Sequence, residues 1–154
     1  MKQDDFAGIG LAAMVGDRYL AQTHEVLNQP AALVDYNLYA SDRALRQAVG
    51  TQGGQAAEAA LLAFGARLGS GDFLALGEQA NRYPPELDTH DRFGHRIDLV
   101  RFHPAYHALM ETSLGAGMHA APWRSPGSGA HVARAAKFFM MSQVEAGHCC
   151  PVTM

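Results

Sequence analysis

From Ala130 to Ala146 the chain carries neither proline nor glycine, and most of the residues there favour helix. Val132, Ala135, Ala136, Phe139, Gln143 and Ala146 recur at the three- and four-residue spacing of one helix side. Phe138, Met141 and Val144 spread the apolar surface onto the other side, and the polar residues His131, Arg134 and Lys137 come early. A helix that is apolar on most sides belongs at the centre of a bundle. The pattern therefore puts Phe139 in the core and closes this central helix at Gly147.

Four helices precede it. Ser41 is read as an N-cap, with Asp42 in the first turn, for a short helix ending at Gly50. A second helix over 55–68 lines up Leu61, Phe64, Gly65 and Leu68, and Gly69 ends it. After Ser70, a third repeats the spacing with Phe73, Leu76, Gly77 and Ala80 until Pro84-Pro85 stops it. Pro104 opens a fourth, with Tyr106, Leu109, Met110 and Ser113 on one face and an end near Gly115–Gly117. Residues 84–102 and 121–129 read as surface connections rich in turn formers. Residues 23–40, with Pro30 and two asparagines, read as an irregular arm with apolar side chains to bury, and residues 1–22 as an appendage broken by glycines. The predicted class is an all-α helical bundle preceded by an irregular arm.

Composition narrows this picture. A chain of 154 residues makes one domain and buries roughly 68–70% of its unfolded surface. The net charge of −3, with Lys and Arg scattered, leaves no basic footprint for nucleic acid or anionic lipid. Cys149 and Cys150 are adjacent, which is no disulfide framework and fits a reducing, cytoplasmic setting. No stretch approaches the ~20 apolar residues of a membrane span, and the N-terminus lacks the basic start and unbroken apolar core of a secretory signal.

Candidate chemistry is sparse. His103, His107 and Glu111 fall at i, i+4 and i+8, so the row could hold zinc; a solvated stripe opposite Leu109 and Met110 is the preferred reading. Cys149-Cys150 lacks the spacing that lowers a thiol pKa, and His148 beside it is no proof of an activated thiolate. The glycines at 50–54 and 69–71 match no phosphate-loop order and are helix ends. Glu58 and Glu111 are ordinary helix carboxylates. Glu145 stands apart because it lies in the apolar half of the central helix, where burial raises its pKa or demands a partner. Gln143 beside it needs hydrogen-bond partners if buried. These two polar groups mark the expected cavity. No catalytic, cofactor-binding or metal-ligating set is complete.

The segments THEVLNQPAALVDYNLYASDRALRQAV, RYPPELD, VRFHPAYHALM and ARAAKFFMMSQVEAGHCCPVTM, in this order from Thr23 to Met154, resemble the N-terminal part of AidB-like proteins. These form the adaptive-response (DNA alkylation damage) branch of the acyl-CoA dehydrogenase flavoprotein superfamily. The resemblance implies residues 23–154 as a helical N-terminal domain that stops before an FAD-binding β-domain. It also implies FAD in the full-length parent and none on this piece alone, the parent's remaining domains as partners, a homotetramer, and DNA contact only through a C-terminal region outside this chain. Catalytic glutamate and flavin contacts would lie elsewhere in the parent, so this piece would wall the acyl/flavin cavity and support packing. The segment SQVEAGHCC would lie near the deep end of the acyl cavity, which implies a cavity-lining role for Gln143, Glu145 and Cys149. The competing reading is a free-standing helical interaction module without flavin.

Overall fold

The computed structural model describes residues 28–153, so the 1–22 appendage and the start of the arm lie outside the described residues. The chain divides into two units, Met1–Ala32 and Leu33–Met154, and the helical fold is that of the second. Its elements are α1 (Arg43–Thr51), a 3-10 turn (Gln55–Ala57), α2 (Glu58–Leu68), α3 (Gly71–Arg82), β1 (Glu86–His90), β2 (Arg96–Arg101), α4 (Pro104–Gly115), α5 (Ala121–Arg124), α6 (Ala130–Val144) and α7 (Cys149–Thr153). The class is all-α with one small hairpin.

Local chemistry sets the helix starts. Asp42, not Ser41, caps α1, its carboxylate accepting from the Leu45 amide at 2.8 Å. Ser70 caps α3, and Asp72 in the first turn meets the positive end of the helix dipole. Pro104 occupies the first turn of α4, where its missing N–H costs nothing, and His103 caps it by accepting from the Ala105 amide at 3.2 Å.

The irregular arm is fastened along α2. The Leu38 amide donates to the Gly65 carbonyl at 3.1 Å and that of Tyr36 to Gly69 at 3.3 Å. Asn37 donates to the Leu62 carbonyl at 2.9 Å. So close an approach requires glycine: a Cβ on Gly69 would stand 1.6 Å from the Tyr36 carbonyl oxygen. The arm thereby delivers Leu38 and Tyr39 to a core shared with Val49, Leu61, Leu68, Phe73, Leu109, Met140, Met141 and Val152.

α6 is the central helix, packed against α1, α2, α3, α5 and α7, but its buried side is not the expected one. Ala136, Met140 and Met141 are buried, whereas Phe139 is 48% exposed and Phe138 37% exposed. The physical reason lies in the helix's two cations. Arg134 donates to the carbonyls of Met118 and Thr153, and Lys137 donates to that of Ala116 at 2.8 Å. Satisfying carbonyls at neighbouring helix ends turns the Arg134–Lys137–Met141 side inward and both phenylalanines outward. α6 also stops at Val144 rather than running to Ala146, because Glu145 is extended (φ −159°, ψ 124°).

Residues 84–102 correct the surface-loop reading: they form an antiparallel hairpin, pairing Glu86 with Arg101, Leu87 with Val100, Asp88 with Leu99 and His90 with Arg96. A bulge falls between Asp88 and His90, with Asp98 at φ 44°. Nearly every strand residue is exposed, so no core-facing alternation could have betrayed the strands. Arg101 bridges Glu86 and Asp88 at 3.6 and 3.0 Å. Within 121–129, the first four residues form α5 rather than loop.

Candidate functional site

Where α6 ends, Glu145 turns the chain into α7. Its carboxylate accepts the amide N–H of Gly147 at 2.7 Å and that of His148 at 2.8 Å, closing a tight Asx-like cap around the turn. The same Oε2 atom meets His148 Nδ1 at 2.8 Å, and His148 Nε2 meets Ser113 Oγ on α4 at 3.0 Å. A carboxylate, two amides, an imidazole and a hydroxyl thus join the end of α6, the start of α7 and the last turn of α4. The His148 side chain is wholly buried and that of Glu145 10% exposed.

The electrostatics follow from these bonds. Burial alone would push the Glu145 carboxyl up, but hydrogen bonds from the His148 backbone, the His148 ring and the Gly147 backbone outweigh it and hold the carboxyl below its ordinary range. An ionised carboxylate only accepts, so His148 donates through Nδ1 to Glu145, and its Nε2 shares a hydrogen bond with the Ser113 hydroxyl. Cys149 Sγ lies 4.0 Å from that nitrogen. Burial, and then the Glu145 charge, push its thiol up to about 11.

Ser113, His148 and Glu145 have the order of a hydrolase triad, but accessibility decides against that chemistry. Ser113 is fully buried within α4, so no acyl group can reach its oxygen, and Cys149 is held as a neutral thiol. The array is a positioning network that fixes where Glu145 stands.

Glu145 and His148 border a cavity of about 160 Å³ whose remaining wall is largely aromatic: Tyr83, Phe102, His103 and Tyr106. Two stacked pairs build it, Tyr83 on His103 with centroids 4.8 Å apart and Phe102 on Tyr106 at 4.3 Å. A larger open cleft of about 640 Å³ between α2, α4 and α6 includes Arg67, Glu111 and Lys137. There Arg67 donates to Thr112 Oγ1 at 2.9 Å, and desolvation lowers the Lys137 pKa. A third hollow, about 480 Å³ between α1 and α6, is bounded by Leu45, Val49, Val132, Phe138 and Phe139.

The expected cavity residues separate. Glu145 borders the aromatic cavity; Cys149 is buried behind it against His148. Gln143 is exposed, its amide only 3.4 Å from the Phe139 carbonyl, and borders none of these three hollows. His103 caps α4 and stacks on Tyr83, His107 sits at the edges of Phe102 and Tyr106, and Glu111 faces the larger cleft. Among the described residues no three His, Cys, Asp or Glu side chains converge as a metal site. Glu58 pairs with Arg46 at 3.1 Å. The Glu145–His148 contact was legible as an i, i+3 pair; the role of Ser113, 35 residues earlier, had no local signal.

Among the described residues no single helix is long and apolar enough to cross a membrane. The bent pair of α2 and α3 passes on length and composition, yet supplies Leu61, Leu68 and Phe73 to the core.

Comparison with known proteins places this geometry. The family model described as the adaptive response protein AidB N-terminal domain matches residues 28–154. AidB of Escherichia coli (strain K12), which carries an acyl-CoA dehydrogenase designation, is 48% identical over 134 residues, covering 86% of this chain and 25% of that protein. Caenorhabditis elegans ACDH-11, solved in complex with C11-CoA, shares the fold with a TM-score of 0.70 at 20% identity, over 87% of this chain and 24% of that one. The apo form of Bd2924 does so with a TM-score of 0.64 at 23% identity, over 75% of this chain and 24% of that one. The chain thus spans about a quarter of the length of these relatives. With its match over residues 28–154 and 48% identity to the E. coli protein, the chain belongs to the AidB N-terminal domain family.

Proposed function

We propose that this chain works as the helical N-terminal domain of an FAD-dependent, acyl-CoA dehydrogenase-like protein, in which it walls the acyl/flavin cavity and supports packing of a homotetramer. The observation that carries this reading is the hollow between α1 and α6, bordered by Phe138 and Phe139 on the central helix itself. Large aromatic side chains on the innermost helix of a bundle are worth exposing only if something else covers them. In this reading other domains of the parent hold the flavin; the glycines at 50–54 and 69–71 sit at helix ends, and neither loop follows a strand. Hydride transfer to flavin, on this reading, belongs to domains outside this chain. Its own contribution is shape and exclusion of water, with Glu145 and the aromatic cavity on the wall. A part for the parent in the DNA alkylation response, with DNA contacts made outside this chain, fits the scattered cations here, and the adjacent cysteines fit a cytoplasmic setting.

A chimera tests the proposal: this chain replaces the matching stretch of E. coli AidB, and flavin absorbance and assembly are measured on the purified product. The expected result is a flavin-loaded tetramer, with Phe138→Ser/Phe139→Ser lowering flavin content and assembly together. A soluble, folded chimera that neither retains flavin nor assembles would overturn it and favour a free-standing helical interaction module.

A further inference from the structure

The small cavity at the end of α6 has a composition that selects for charge. Its polar wall includes Glu145, whose side chain is 10% exposed, and the His103 and His148 rings, and the rest is built largely from Tyr83, Phe102 and Tyr106. Among the described residues the only ion-pair partner of Glu145 is the His148 ring; no Lys or Arg reaches it. Its hydrogen bonds come from the Gly147 and His148 amides and the His148 ring. A carboxylate that no Lys or Arg reaches, beside three aromatic rings, is half of an ion-binding arrangement. The cavity volume of about 160 Å³ is well below the ~300–1,000 Å³ of sites for drug-sized ligands, which limits an occupant to a head group.

We infer that this cavity binds an organic cation, a quaternary ammonium or guanidinium head group, held between the Glu145 carboxylate and the Tyr83, Phe102 and Tyr106 rings. The carboxylate supplies the counter-charge and the rings replace the cation's weak hydration shell. A strongly hydrated inorganic cation gains little from aromatic walls, whereas a diffuse organic one gains most. The Ser113–His148 pair then has a purpose beyond capping: it fixes the Glu145 oxygens so that their charge is already aimed when the cation arrives. Acyl-cavity walling asks only for apolar surface, whereas this inference asks the same wall to hold a charge.

The test is a ligand-observed NMR titration of the chain with choline and, separately, with propylguanidinium. The control is the uncharged analogue of choline in which the quaternary nitrogen is replaced by carbon. At least one cation should bind at least about tenfold more tightly than the neutral analogue, and Tyr106→Leu or Phe102→Leu should weaken it about fivefold or more. Both positions are partly open, so these variants keep the fold, which circular dichroism checks; Glu145 is spared because it also caps the turn. Preference for choline marks a free ammonium ligand, and preference for propylguanidinium marks an arginine side chain of another protein segment. The inference is overturned if neither cation saturates, if the neutral analogue binds as tightly, or if neither ring variant changes the affinity.

Discussion

Deleting a single oxygen should reveal whether the Ser113–His148–Glu145 array holds the end of the bundle together. In Ser113→Ala the hydroxyl that faces His148 Nε2 at 3.0 Å is lost. The ring cannot turn to find water, because its side chain is wholly buried and its Nδ1 is committed to Glu145 at 2.8 Å. Cys149 Sγ, at 4.0 Å, is a weak donor at the limit of reach. The variant therefore leaves a buried ring nitrogen without its partner, which costs about 1–3 kcal/mol; the volume removed is a single oxygen, so any cavity contribution is minor. Urea unfolding followed by circular dichroism at neutral pH measures the loss, with Ser142→Ala as reference. Ser142 bonds only to the Phe139 carbonyl one turn back, and its removal should cost less than about 0.5 kcal/mol. If Ser113→Ala proves as mild as Ser142→Ala, the network does not join α4 to α7 as described.

Three further outcomes follow from the same geometry. Met140→Ala should cost about 2–5 kcal/mol because Met140 is fully buried, while Phe139→Ala in the chain alone should cost less than ~1 kcal/mol; paired denaturant melts decide, and the reverse order would put the core on the wrong side of α6. The Glu145 carboxyl is depressed in the fold, so its contribution is present above the ordinary carboxylate pKa and is lost as pH falls through the lower folded value. Melting temperature against pH should therefore decline on acidification in the native chain, and more gently in Glu145→Gln; parallel curves would refute the assignment. With its thiol pushed up to about 11 and buried, Cys149 should resist iodoacetamide at neutral pH while the exposed Cys150 is labelled first. Peptide mass spectrometry reads the order, and equal labelling would mean that α7 opens readily.

How much of this was legible in the residues depends on whether local chemistry decided the outcome. Helix starts were nearly right because a cap acts over three residues: Asp42 and Ser70 each satisfy an amide within their own first turn. The class was legible because Leu61, Phe64 and Leu68 can share a face only in a helix. The facing of α6 was not. With apolar residues almost all round, its period could not choose a side, and the choice fell to Arg134 and Lys137 reaching carbonyls on other elements, which no spacing records. The hairpin escaped because both of its faces are exposed, so Leu87, Ile97, Leu99 and Val100 had no buried side to alternate against.

The candidate site divides along the same line. Glu145 stood out because a carboxylate in an apolar stretch must find partners, and His148 supplied one three residues on. Gln143 rested on a continuous helix with Phe139 inward; once the helix turned, its side chain went to solvent. The aromatic wall needed tertiary information, since Tyr83 ends α3 while Phe102 and Tyr106 flank the start of α4. What brings them to Glu145 is the contact of α3 with the end of α6, where a Cβ on Gly77 would stand 2.3 Å from the Val144 carbonyl oxygen. That glycine lets α3 approach the residue immediately before Glu145. Gly77→Ala should therefore displace Glu145 from the aromatic rings while the cap of α3 at Ser70 stays intact. The site thus depends on one close backbone approach as well as on the Ser113–His148–Glu145 hydrogen bonds, and the sequence shows the first only as a glycine in the middle of a helix.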